Sequence, residues 1–180
     1  MLRELISQAA GSVTISYDPN CRPLLMGDPA GVLAGVHELL AVADVVKVSN
    51  EDLEWLVPGM RPEDVVEDWL ARGPAIVAIT LGGNGVLAGA ASGVRTRRPG
   101  VPITVVDTVG AGDTFSAALL AGLHRRGLLG AAARPDLRAL DADTLDALLD
   151  EAALAAAITC SRRGADPPTA ADLLARRFTA

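Results

Sequence analysis

The sequence predicts an α/β fold with a mainly parallel sheet covered by helices. Three observations carry this. Short β-branched runs alternate with segments of helical patterning. Ala75 to Leu81 is an almost unbroken apolar run, as expected of a strand buried on both faces. Predicted strands lead into the loops 18–22, 82–85 and 107–113, and in such sheets ligands bind beyond the carboxyl ends of strands. The 180 residues are room for one domain of ordinary size, on a prior of ~150 residues each. Half of them are hydrophobic and 21% are charged, with a mean hydropathy of +0.32, which excludes a disordered chain. Aromatics are only 3%, so Ala, Val and Leu must fill the core.

Val13 to Tyr17 reads as the first strand, ended by Asp18-Pro19-Asn20. Pro29 to Val42 reads as a helix with Asp28 as N-cap and Pro29 at the first position. Val45 to Val48 is the next strand, and Ser49-Asn50 caps a short helix from Glu51 to Leu56. Pro58-Gly59 breaks that helix; Pro62 to Arg72 is another, closed by Gly73. Beyond the buried strand, Val86–Ala90 and Val94–Arg98 form a hairpin across Ser92-Gly93, and Val101 to Val106 reads as a further strand. Gly110-Ala111-Gly112 turns the chain into a helix from about Asp113 to Arg126, stopped by Gly127. Residues 130–143 read as a linker, Thr144 to Arg163 as a long Ala-rich helix, and a short terminal helix follows. No repeat and no domain boundary is evident.

Composition removes several functions. A net charge of −6 and a pI near 4.8 argue against a nucleic-acid binder, which needs a basic face. Cys21 and Cys160 stand alone, without a zinc or disulfide pattern, so a reducing cytoplasm is the expected setting. The longest uncharged stretch, Gly73 to Val94, is interrupted by Gly82-Gly83-Asn84-Gly85, so no membrane span is expected. The first residues carry Glu4 and lack the apolar run of a secretory signal.

The sharpest chemical segment is Val105 to Phe115, a strand, a small-residue turn and a helix start. The first amides of such a helix lack internal partners and the helix dipole adds positive potential, which together suit an anion. A dinucleotide fingerprint would need glycine where Phe115 stands, and no Gly-Lys-Ser/Thr phosphate loop occurs. Asp113 beside this turn suits a general base acting on a hydroxyl while amides stabilise a phosphoryl group in transfer. It equally suits an N-cap, and the residues alone leave both open. Thr80-Leu81-Gly82-Gly83-Asn84-Gly85 is a second glycine loop, suited to a nucleotide or to a plain turn. Asp18, Asn20 and Arg22 converge on one polar ligand or form a turn with a surface Arg. Glu51, Asp52 and Glu54 attract Mg²⁺ through water or complement the helix dipole. Arg95, Arg97 and Arg98 read as a solvated strand, His37 and His124 as structural, Trp55 and Trp69 as core.

Taken together, these segments resemble the ribokinase (PfkB) family of carbohydrate kinases, and most closely its bacterial fructokinase-like branch. The run Asp107-Thr108-Val109-Gly110-Ala111-Gly112-Asp113-Thr114-Phe115 is similar to the family's C-terminal signature. Asp18-Pro19-Asn20-Cys21-Arg22-Pro23, Ala43 to Ser49, Thr80 to Gly85 and Ala157 to Ala165 match in the family's order. The resemblance implies a ribokinase-like three-layer αβα fold, incomplete at its N-terminal side, with residues 1–180 as the C-terminal, ATP-binding and catalytic part. It implies ATP-dependent phosphorylation of a sugar hydroxyl, with fructose favoured. Asp113 would be the base; Gly110, Ala111 and Gly112 the anion hole; Thr80, Gly82, Gly83, Gly85 and Gly112 neighbours of ATP; Asn20 and Arg22 neighbours of the sugar. Asp107 would help hold K⁺ or brace the turn. The family's Asn-x-x-Glu motif for water-held Mg²⁺ becomes Ser49-Asn50-Glu51-Asp52 here, with Glu51 or Asp52 as the acid. Partners are the sugar and ATP, with a homodimer or a separate N-terminal piece covering the sheet edge that such a chain exposes. The alternatives are a non-catalytic remnant that binds nucleotide or a partner, and a kinase for 2-keto-3-deoxygluconate, ribose or a nucleoside. A dinucleotide oxidoreductase is disfavoured by Phe115.

Overall fold

The computed structural model of the chain describes residues 2–9 and 11–177. Helix α1 (Leu2–Ala9) leads into strand β1 (Ser16–Tyr17), a one-turn helix α2 (Pro23–Met26) and α3 (Pro29–Leu40). Asp28 caps α3 as its sequence predicts, its carboxylate accepting from the Gly31 amide at 3.0 Å. Strand β2 (Val45–Ser49) runs into α4 (Asn50–Leu56), with Ser49 as N-cap. Helix α5 (Pro62–Ala71), strand β3 (Ile76–Thr80), strand β4 (Val86–Ala90) and strand β5 (Arg95–Arg98) follow. The second half holds α6 (Ala111–Arg125), α7 (Arg134–Arg138), α8 (Ala142–Cys160) and α9 (Ala170–Arg177).

The five strands lie in sequence order. β1, β2 and β3 are parallel, and the β4–β5 hairpin extends the sheet antiparallel from β3. Alternation along the strands feeds two cores. Val46, Val48, Val77 and Ile79 share one with Leu40, Leu53 and Trp69 of the α3–α5 layer. Val45, Ile76, Ala78, Val86 and Ala88 share the other with Leu119, Leu137 and Leu148 of the α6–α8 layer. The result is three layers, α/β/α, as the family resemblance implies. Gly122 lets α6 lie close to α8: a Cβ there would stand 2.6 Å from Leu148 Cδ2.

Three expectations are corrected. Val13, Thr14 and Ile15 are not strand, because other partners take them: Ile15 N donates to Asp44 Oδ2 at 2.8 Å, and Thr14 Oγ1 accepts from Gly130 N at 2.7 Å. Val101 to Val106 is irregular. Pro102 has no amide to donate, and Val106 and Asp107 donate to the Cys160 carbonyl at the end of α8 rather than to a neighbouring strand. Residues 130–143 are no bare linker: a 3₁₀ turn, Ala131–Ala133, leads into α7, whose Leu137 is fully buried.

The arginines of β5 are paired, on both faces of the sheet. Arg95 and Arg97 meet Glu67 and Glu63 of α5, while Arg98 meets Asp146 and Asp150 of α8 at 2.9 and 2.7 Å. Trp69 is buried and Trp55 packs partly buried against the same core. Among the described residues no helix is long and apolar enough to cross a membrane.

Candidate functional site

A cavity of about 420 Å³ opens at the carboxyl ends of β2 and β3, within the size range of small-molecule sites. Strand direction explains its lining. β2 ends on Lys47 and Ser49, with Glu51 beyond it, and β3 ends on Thr80 and the loop carrying Gly82, Gly83 and Gly85. Irregular residues Gly100, Val101, Ile103 and Val105 form one wall, and Ala153, Ala156, Ala157 and Cys160 of α8 another. Thr108, Ala111, Gly112 and Phe115 complete it from the start of α6. The two glycine loops singled out from sequence therefore face one cavity, while Asn20, Arg22, Asp52, Asp107, Gly110 and Asp113 lie outside its lining.

The turn into α6 is held from several sides. Gly110 is its N-cap in the left-handed region, at φ 78°. A Cβ on Gly110 would lie 2.8 Å from Ala165 Cβ, so the loop after α8 packs directly on the turn. Asp107 braces both: its carboxylate accepts from Val109 N at 3.1 Å and from Gly164 N at 3.0 Å. These amides hold the Asp107 carboxyl below the usual carboxylate range. The Ala111 amide is engaged with the Thr108 carbonyl at 3.2 Å, and Thr114 N with the Gly110 carbonyl at 2.9 Å. The amides of Gly112 and Asp113 remain without a partner inside the helix.

Asp113 is not the N-cap that its residue type allows. The cap is Gly110, and Asp113 is the third residue of α6. It is exposed, and among the described residues its carboxylate has no hydrogen-bond partner. Its position in the first turn suits the dipole and leaves it available to a ligand.

One residue that bears on this site was missed from sequence. Lys47, the chain's single lysine, is 6% exposed, with Val46 and Val48 beside it in β2 fully buried in the opposite core. By strand alternation it projects with Val45 toward α6 and α8. A Cβ built on Gly112 would lie 2.7 Å from Lys47 Nζ, so the ammonium sits against the first turn of α6. Its hydrogen-bond partner is Asp18 Oδ2 at 2.9 Å. The available signal was a lysine at a core-facing position of an apolar strand, where charge is rare unless paired.

The 18–22 loop continues from this pair. Asp18 Oδ1 accepts from Asn20 N at 3.1 Å, and Asn20 itself lies in the left-handed region at φ 44°. Arg22 Nη1 donates to the Asn20 side chain and the Cys21 carbonyl, both at 2.8 Å, and to the Asn20 carbonyl at 3.2 Å. Asp52 is committed here too: Cys21 N donates to its Oδ1 at 2.9 Å. Burial, with Asp52 and Asp18 nearby, pushes the Cys21 thiol up to about 11. Of the two acids expected to hold Mg²⁺, Glu51 lines the cavity and Asp52 holds this loop. Among the described residues no group of three or more His, Cys, Asp or Glu side chains is placed to hold a metal ion.

These features define a three-layer α/β protein whose cavity, at the carboxyl edge of its sheet, joins a helix start, a glycine loop and a buried lysine. Its lineage follows from comparison with known proteins. Residues 1–172 match the pfkB family carbohydrate kinase, and the chain belongs to that family. It is 39% identical over 125 residues to a fructokinase of Rhizobium leguminosarum bv. trifolii, covering 69% of this chain and 38% of that protein. It is 35% identical over 116 residues to a 2-dehydro-3-deoxygluconokinase of Bacillus subtilis, covering 61% and 34%. A fructokinase structure from Vibrio cholerae with fructose, ADP and potassium ion superposes with TM-score 0.76 at 26% identity, over 97% of this chain and 54% of that one. A fructokinase with bound ATP from Xylella fastidiosa gives TM-score 0.84 at 24% identity, over 98% and 56%, a likeness of fold. The chain thus spans between about a third and about a half of the length of these relatives.

Proposed function

We propose that this chain is the nucleotide-binding and catalytic part of an ATP-dependent sugar kinase, with fructose as the leading acceptor. The observation that carries the reading is the convergence of the glycine loop, Lys47 and the start of α6 on one cavity, with the unengaged carboxylate of Asp113 beside them. The nucleotide occupies the cavity, its base against the 100–105 segment and α8 and its phosphates toward Gly82, Gly83, Gly112 and Lys47. The acceptor lies on the outer side of the turn, with Asp113, Asn20 and Arg22.

In the reaction the sugar hydroxyl oxygen attacks the γ-phosphorus of ATP. Its proton passes to the Asp113 carboxylate, the bond from phosphorus to the ADP oxygen breaks, and the products are a sugar phosphate and ADP. The Gly112 and Asp113 amides and the Lys47 ammonium stabilise negative charge on the phosphoryl oxygens. A divalent ion carried by the nucleotide fits this site: one carboxylate, Glu51, is enough for a Mg²⁺ that keeps most of its water. When bound, that ion supplies charge neutralisation at the phosphates. Asp107 acts chiefly as the brace of the turn, with a K⁺ beside it as a secondary proposal. Arg22 Nη1 is held by the loop itself, and its guanidinium keeps the 2-keto-3-deoxygluconate reading open beside fructose.

The test is ADP release by the purified chain with MgATP and K⁺, over fructose, ribose, 2-keto-3-deoxygluconate and adenosine. Release stimulated by fructose and abolished in Asp113→Asn supports the reading. ATP binding with no release under any acceptor supports a nucleotide-binding remnant instead.

A further inference from the structure

We infer that Asp18 is a positioning residue for the phosphate site, acting through Lys47; the inference rests on the nucleotide reading above. Lys47 grows from a strand whose neighbouring side chains are buried and apolar, and its side chain is only 8% exposed. A flexible ammonium in that setting needs an anion to hold it. Among the described residues its hydrogen-bond partner is Asp18 Oδ2, at 2.9 Å. Asp18 is itself fixed from behind, because its other oxygen accepts from Asn20 N at 3.1 Å. The order of contacts is therefore Arg22 to Asn20, Asn20 to Asp18, Asp18 to Lys47, and Lys47 against Gly112.

The arrangement has a definite electrostatic sense. Asp18 adds negative charge near an anion site, which by itself opposes phosphate binding. It also keeps a cation pressed against the helix start, which favours binding. On this proposal the second effect wins, because the ammonium stands against Gly112 itself while Asp18 acts through its contact with Nζ at 2.9 Å. With asparagine at position 18 the lysine loses the counter-charge it pairs with among the described residues and turns toward water, and the phosphate site loses a donor. The acceptor-side loop is thereby tied to the phosphate side by a single ion pair.

A double-mutant cycle on nucleotide affinity tests this, with ATP and adenosine as probes and with thermal melts to verify folding. The variants are Asp18→Asn, Lys47→Met and both together. The expected result is ATP binding weakened about tenfold or more by Asp18→Asn, unchanged adenosine binding, and no further effect of Asp18→Asn once Lys47 is Met. Tighter ATP binding in Asp18→Asn overturns the proposal in favour of competition between Asp18 and phosphate. An equal loss in the Lys47→Met background overturns it in favour of a direct or merely structural role, as does an equal loss for adenosine. Should Asp18→Asn fail to fold, Asn20→Pro, which removes the amide that holds Asp18, must weaken ATP binding and leave adenosine binding unchanged, and unchanged ATP affinity in a folded Asn20→Pro chain overturns the proposal. A wild-type chain that binds neither probe overturns the nucleotide reading itself, and this inference with it.

Discussion

Alanine at Gly112 separates binding from stability. The added Cβ would lie 2.7 Å from Lys47 Nζ, whereas ordinary contact begins near 3.4 Å, so the ammonium must retreat by about 0.7 Å. Nζ is the far end of a flexible side chain, so the fold absorbs the shift at little cost. The phosphate site does not, because the methyl group occupies the place where phosphate oxygens meet both the amide and the ammonium. A charge-assisted hydrogen bond contributes about 1.5–3 kcal/mol, which corresponds to roughly 10- to 100-fold in dissociation constant. Gly112 has ordinary helical backbone, and Ala is favoured over Gly in a helix by about 0.5–1 kcal/mol. In a chain of this size that is a rise of about 1–4 °C in melting temperature. Gly112→Ala is therefore expected to melt no lower than wild type while binding ATP at least tenfold more weakly, by calorimetric titration and thermal scan on the same sample. Wild-type ATP affinity in a folded Gly112→Ala chain would refute the placement of phosphate at this turn.

Four other outcomes are expected. Asp113→Asn keeps ATP affinity within about twofold in titration but loses at least ~10²-fold of any sugar-dependent ADP release, the usual scale of general-base loss. Gly85→Ala fails to fold, because Gly85 has φ 90° and its Cβ would strike the Arg98 carbonyl and Pro99; Gly83→Ala, with open space at its Cβ, folds normally by circular dichroism. Stability to urea falls between about pH 9 and 12. Burial, with Asp52 and Asp18 nearby, raises the Cys21 thiol from 9.0 to about 11, and burial, with Cys21 and Asp18, raises Tyr17 from 10.0 to about 12. The folded chain holds these protons more tightly than the unfolded one, so their stabilisation is present below pH 9 and lost as pH rises; Cys21→Ala flattens the profile. Trp69→Ala, removing a side chain 1% exposed beneath α5, costs about 3–5 kcal/mol in denaturant titration.

Much of the fold was legible because its signals are local. The Asp28 and Ser49 caps, the apolar run at β3 and the β4–β5 hairpin each depend on neighbours in sequence, and each stands as read. The readings that failed depend on distant partners. Val101–Val106 has strand composition, but its backbone meets the end of α8 rather than another strand. The 130–143 segment looked like a linker because the burial of Leu137 depends on the α6–α8 layer. At the site, the two glycine loops were legible as turns after predicted strands. What each glycine does was not. Gly85 makes room for residues 98–100, Gly110 for Ala165, and Gly112 for Lys47, and these contacts appear only once the chain is folded. Lys47 escaped notice because one lysine in an apolar strand has no motif around it, and its partner Asp18 is 29 residues away.

Sugar-stimulated ADP release tests the central claim most directly, measured on the 180-residue chain with MgATP and K⁺ and with Asp113→Asn alongside. The account predicts release that fructose stimulates and the variant abolishes, with ATP affinity preserved in both proteins. Release that no acceptor stimulates, or that Asp113→Asn sustains at the wild-type rate, would contradict it.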